Sequence, residues 1–155
     1  MKKSIIIGVA LIVLIACSKD KYQDAPQISL KSISSSVVPI GSGLNITLSY
    51  TDKQGDISDT LFIKKNRLNQ TVVPTVRDTI LYKIPDFPDY DKGEIGLALT
   101  YEIDLKSAIQ PPPIVGTNPT QYQPDTLNIQ IWIHDKAKHV SDTVSTGRII
   151  VMRTN

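Results

Sequence analysis

The stretch Leu44-Asn-Ile-Thr-Leu-Ser-Tyr50, LNITLSY, is apolar at every even position and polar at every odd one. Successive side chains of a strand point to opposite faces of a sheet, so this pattern predicts a strand with one dry face and one wet face. Two further stretches alternate in the same way: Ile95-Gly-Leu-Ala-Leu-Thr-Tyr-Glu-Ile103 and Leu127-Asn-Ile-Gln-Ile-Trp-Ile133. Shorter strand candidates are Ile28–Ile33, Val37–Ile40, Leu61–Lys65, Thr79–Ile84 and Arg148–Met152. Beyond residue 17 no window of helical length carries an apolar stripe at the 3.6-residue period.

Turn chemistry separates these runs. Gly41-Ser-Gly43, Gln54-Gly55, the acidic stretch Pro85–Gly93 and the proline-rich stretch Gln110–Pro124 all break the chain between strands. Parallel strands need helical crossovers, and the chain has no sequence for them. The expectation is therefore an all-β fold, a single antiparallel sandwich of about seven strands. Proline cannot donate to a ladder, so Gln110–Pro124 is expected to be a long surface connection.

The N-terminus is a targeting segment. Lys2 and Lys3 precede an apolar run, Ile5–Ala16, too short at ~1.5 Å per residue to cross a ~30 Å hydrocarbon core. The run ends in Leu14-Ile-Ala-Cys17, which resembles the lipobox of bacterial lipoproteins. That resemblance implies cleavage before Cys17 and acylation of Cys17, which would hold the protein to a membrane. Cys17 is the sole cysteine, so a lipidated chain has neither a disulfide nor a thiolate site. Residues 1–16 are thus a signal peptide, 17–26 a polar tether, and 27–155 the domain. Ser18 stands where an inner-membrane retention signal places Asp, which favours the outer membrane of a Gram-negative cell. Ser18-Lys-Asp-Lys21 also resembles the surface-export signals of Bacteroidota lipoproteins, although a solvated tether accounts for it equally.

Charge excludes one class of partner. The chain has 17 basic and 15 acidic residues; without Lys2 and Lys3 the two counts are equal. No basic stripe survives, so nucleic acid is not an expected partner.

The order of these pieces resembles a group of small Bacteroidota lipoproteins with an immunoglobulin-like or cadherin-like domain. In that group a Pro-x-Ile strand start follows the tether, matched by Pro26-Gln-Ile28. An acidic loop of the type Asp-Gly-Asp-Gly-Asp-Ile-Gly is matched by Asp52-Lys-Gln-Gly-Asp-Ile-Ser58. A late Asp-x-Ala-Gly-x-x-Ser-Asn-Thr is matched by Asp135-Lys-Ala-Lys-His-Val-Ser-Asp-Thr143. The resemblance implies an immunoglobulin-like sandwich and an envelope location, and little about activity.

Two side-chain sets invite a ligand. Asp52, Gln54, Asp56 and Asp135 are candidate oxygen donors for Ca2+, which takes six to eight such ligands. Gln54 is neutral, and Lys53 replaces a flexible, uncharged glycine of the family loop. The ligand count therefore favours the competing reading, an Asx-type turn in which the Asp side chains bond nearby amides around Gly55. No other cofactor is expected. The second set is Trp132 with Gln130 and His134, which alternation sends to the wet face of their strand. A tryptophan among amides suits sugar stacking or a protein contact, unless a neighbouring side chain or the proline-rich segment covers it.

Catalysis finds little in the chain. His134 and His139 are the only histidines, and no nucleophile elbow, zinc motif or phosphate loop is present. The expectation is a non-enzymatic, lipid-anchored envelope module that binds another envelope protein or a glycan. The alternative is a small surface hydrolase, or an accessory subunit of a glycan-degrading system.

Overall fold

A computed structural model describes residues 24–69 and 79–153; the expected signal peptide, Cys17 and most of the expected tether lie outside these residues. Within them the chain is all-β, with strands β1 (Gln27–Ile33), β2 (Val37–Val38), β3 (Leu44–Thr51), β4 (Thr60–Arg67), β5 (Thr79–Lys83), β6 (Lys92–Leu99), β7 (Pro113–Ile114), β8 (Gln121–Tyr122), β9 (Asp125–His134) and β10 (Val144–Val151). They form a three-stranded sheet, β1-β3-β6, a five-stranded sheet, β2-β10-β9-β4-β5, and the small hairpin β7-β8.

LNITLSY is the centre of the first sheet. Leu44, Ile46 and Leu48 are fully buried and Tyr50 nearly so, while Asn45 is exposed and Thr47 and Ser49 are partly so. Both neighbours run antiparallel to β3, with Leu48 opposite Leu30 on one side and Ile95 on the other. The second sheet is organised by β9, whose Leu127, Ile129, Ile131 and Ile133 are completely buried. Leu61 and Ile63 of β4 and Ile149 and Val151 of β10 join them, and the buried faces of both sheets form one hydrophobic cluster. At ~1.5–3 kcal/mol per buried side chain, the four β9 residues contribute at most about 6–12 kcal/mol to folding.

Several expectations need correction. The strands among the described residues number ten, not about seven, and the larger sheet is mixed, because β2 runs parallel to β10 with Val37 opposite Ile150. Two-residue strands are too short to carry a period, which is why β7 and β8 leave no alternation to read. The strand expected over Val37–Ile40 stops at Val38. The strand expected from Arg148 begins at Val144, with a register shift between Ser145 and Arg148 and Gly147 at φ 73°. Such a bulge resets the inward parity and hides the strand's first half.

The stretch Ile95–Ile103 is a strand only to Leu99. Tyr101–Leu105 instead forms a π-helical turn. Asp104 holds it: its Oδ2 accepts hydrogen bonds from the Thr100 amide at 2.7 Å and the Thr100 hydroxyl at 2.9 Å. Tyr101 turns inward, and its hydroxyl donates to the Met152 carbonyl at 2.6 Å. Within Gln110–Pro124 the chain folds back on itself as the β7-β8 hairpin.

Three connections meet at one end of the sheets. The Asp52 amide donates to the Asp91 carbonyl at 2.8 Å, which ties the β3–β4 loop to the segment entering β6. The Lys136 amide donates to the Asp56 carbonyl at 3.0 Å, which ties the same loop to the β9–β10 turn.

Candidate metal centre and aromatic face

The β3–β4 loop is built around Asp52. Its Oδ2 accepts a hydrogen bond from the Asp56 amide at 2.9 Å, closing an Asx-type turn. Gly55 lies inside the turn at φ 71°, a conformation that favours glycine. A Cβ there would stand 2.8 Å from the Tyr90 backbone nitrogen, so the residue also lets the loop pass close to the segment before β6.

The turn uses half of the Asp52 carboxylate. The other oxygen, Oδ1, is buried with no hydrogen-bond partner, and so is Oδ1 of Asp56. Asp135, at the end of β9, arrives from the adjacent turn. One carboxylate oxygen from each of Asp52, Asp56 and Asp135 lies within 4.8 Å of the others. Asp52 is 1% exposed and Asp135 0%. Burial pushes the Asp52 carboxyl above the usual carboxylate range. The Asp56 amide pulls it down, while the Asp56 and Asp135 carboxyls raise it further.

Asp135 also organises its own turn. Its Oδ1 accepts the His139 amide at 2.7 Å, and its Oδ2 lies 2.8 Å from His139 Nδ1. That hydrogen bond holds the imidazole above the usual histidine range. The two other side chains that the sequence placed at this loop lie elsewhere. Gln54 is exposed, with its amide 3.5 Å from Asp24, and does not belong to the carboxylate group. The Lys53 ammonium also lies 3.5 Å from Asp24. Lys136 pairs with Asp86 at 3.9 Å and Lys138 with Asp59 at 2.9 Å.

The wet face of the five-stranded sheet carries Trp132 as expected, half-buried. The neighbouring side chain is Phe62 of β4, whose ring lies parallel to the indole at 5.2 Å between centroids and 4° between planes. Leu81 of β5, 61% exposed, sits opposite Phe62 and continues the row. The apolar row Leu81-Phe62-Trp132 is flanked by polar rows: Thr79, Lys64 and Gln130 on one side, and Lys83, Thr60 and His134 on the other. Gln130 accepts a hydrogen bond from Asn66 at 2.7 Å, and His134 packs against Phe62 at 4.4 Å. Among the described residues no hydroxyl is hydrogen-bonded to either histidine ring.

An apolar cleft of about 210 Å³ opens elsewhere, between β5 and β6, the outermost strands of their sheets. Leu61, Tyr82, Ile84, Ile95, Leu97 and Leu99 line it.

Sequence reasoning missed two features. Phe62 left no signal because Leu61-Phe-Ile63 is apolar throughout, and only the sheet register places Phe62 outward. The other is a buried ion cluster: Asp125 lies 3.7 Å from Arg67 and 3.1 Å from Arg153, and accepts the Ser107 amide at 2.9 Å. All three charged side chains are buried, and nothing in the local sequence links them.

No known family model matches the chain, and no curated protein matches it. Solved structures offer faint likenesses. A β-glucosidase from Listeria innocua in complex with gluconolactone is 10% identical at a TM-score of 0.43, covering 83% of this chain and 16% of the enzyme. The same enzyme with glucose is 12% identical at a TM-score of 0.39. AvmM, which catalyses macrocyclization in alchivemycin A biosynthesis, is 10% identical at a TM-score of 0.36, covering 86% of this chain and 92% of AvmM. The chain thus spans about a sixth of the β-glucosidase.

Proposed function

We propose that this chain is a lipid-anchored outer-membrane protein whose immunoglobulin-like sandwich acts, without catalysis, as a binding or structural module. The order β1-β3-β6 against β2-β10-β9-β4-β5, with β2 parallel to β10, supports the immunoglobulin-like reading. The lipobox ending in Cys17 supports the anchor. The observation that carries binding is the row Leu81-Phe62-Trp132, an apolar strip with two aromatic rings on the solvent face of the larger sheet. Flanking amides, hydroxyls and lysines give it the polar rim of a recognition surface. Its ligand is a glycan or another envelope protein.

The test is capture from intact cells, with glycan retention measured in parallel, for the full chain and for Trp132→Ala and Leu81→Glu. Loss of capture in variants that keep their far-ultraviolet dichroism is the expected result. Undiminished capture by both variants refutes the surface. A measured turnover abolished by substituting His134 or His139 would replace the module with a hydrolase.

A further inference from the structure

We propose that Asp52, Asp56 and Asp135 form a divalent-cation site, selective for Ca2+, that clamps the β3–β4 loop to the β9–β10 turn. Two independent observations meet there. Three carboxylate oxygens from two separated segments converge within 4.8 Å of one another. Asp52, 1% exposed, also directs into this region a buried oxygen that no hydrogen bond satisfies.

Neither observation suits a loop that serves only as a turn. The Asx turn needs one acceptor, and Asp52 Oδ2 supplies it. A buried polar atom normally has a partner, and an ionised one without a partner is costly. Like charges brought together out of water raise the cost further. Lys136 and Lys138 pair with Asp86 and Asp59 instead, and His139 hydrogen-bonds Asp135, not Asp52 Oδ1. A bound divalent cation would give the unpartnered oxygens of Asp52 and Asp56 a partner and offset the like-charge repulsion with Asp135.

The donor set selects the ion. All three are hard oxygen ligands, which excludes the softer metals that prefer thiolate or imidazole. His139 Nδ1 is already engaged by Asp135, so the imidazole orients a ligand instead of supplying one. Ca2+ accepts carboxylates of an irregular loop in a flexible geometry, whereas Mg2+ demands a near-ideal octahedron. With three carboxylates the affinity expected is that of extracellular modules, Kd about 10⁻⁴–10⁻³ M. The site is distinct from the aromatic face, so either can fail without the other.

The test is the thermal midpoint of the full chain in detergent, first in chelator and then in ~5 mM calcium or magnesium. Calcium is expected to raise the wild-type midpoint by about 3–9 °C, the shift that such a Kd implies for a domain of this size. Magnesium should raise it less. Asp52→Asn and Asp56→Asn should abolish the calcium shift, and their melts in chelator report whether each variant is folded. Asp56 is the less buried of the two, which keeps the test usable if Asp52→Asn does not fold. No wild-type shift, or an undiminished shift in both variants, overturns the site; an equal response to magnesium overturns the calcium assignment.

Discussion

Asp52 closes the β3–β4 loop through one oxygen alone: Oδ2 accepts the Asp56 amide at 2.9 Å, while Oδ1 is buried without a partner. The turn that the sequence favoured around Gly55 is therefore present, and it leaves donor capacity over. Turn and cation reading share one carboxylate without competing for the same oxygen. Asp56 has a different role from the one expected: it contributes its amide to the turn, and its carboxylate points to the cluster.

Gly55→Ala should destabilise the fold by about 1–3 kcal/mol. The residue holds φ 71°, and the added Cβ would meet the Tyr90 backbone nitrogen at 2.8 Å, so the backbone itself must move. Urea unfolding checks this: the midpoint should fall at constant slope, because the surface exposed on unfolding is unchanged. An unaltered midpoint would mean that the loop relaxes freely and does not position the aspartates.

What was legible in the sequence follows from where one face of a strand is buried and the other is not. β3 satisfies that condition along its whole length and β9 from Leu127 onward, so their apolar cores were named residue by residue. Tyr101–Ile103 continues the alternation in residue type only, since Ile103 is 62% exposed in the π-helical turn; the cause of that turn, Asp104 bonding back to Thr100, has no periodic signature. The candidate cation site was half legible. Asp52 and Asp56 share a loop, but Asp135 joins them only through sheet topology, since β9 lies beside β4 and ends where the β3–β4 loop delivers Asp56. Gln54 was drawn in by its place in the motif, yet at that step of the loop its side chain turns out to solvent.

Asp125→Ala should cost about 3–5 kcal/mol, more than any surface ion pair. Asp125 is fully buried between Arg67 and Arg153, whose side chains are 5% and 8% exposed. Removing the acid takes the carboxylate away from two buried guanidinium groups and leaves the Ser107 amide without its acceptor. Equilibrium denaturation of Asp125→Ala against Lys31→Ala, which removes the exposed pair with Glu94, separates the cases; the latter should change stability by less than about 1 kcal/mol.

Acid should reveal the Asp59–Lys138 pair. The Lys138 ammonium, hydrogen-bonded to Asp59 at 2.9 Å, holds its carboxyl below the usual carboxylate range. A depressed pKa in the folded state means that the unfolded chain binds more protons, so the pair's stabilisation is present above the ordinary value of 3.8 and is lost as pH falls through the folded pKa. Lys138 is exposed, so the effect is small and screened by salt. Lys138→Met should lower the midpoint slightly at pH 7, and the difference from wild type should vanish near pH 2. A difference that persists at pH 2 would assign the effect to packing.

Cys17→Ser should release the protein from membranes. A lipobox cysteine receives two or three acyl chains, enough for stable attachment where one chain is marginal. The polar segment from Ser18 to Pro26, fully extended, reaches at most about 30 Å before β1 begins at Gln27. On the proposed anchor, so short a tether would keep the domain near the bilayer surface, and the equal numbers of basic and acidic residues beyond Lys3 give no net charge to hold it there without acyl chains. Fractionation of cells expressing the variant, with wild type in parallel, should move the protein from the membrane pellet to the soluble fraction. If Cys17→Ser remains in the pellet after a high-salt wash, the attachment is by another route and the lipid anchor is wrong.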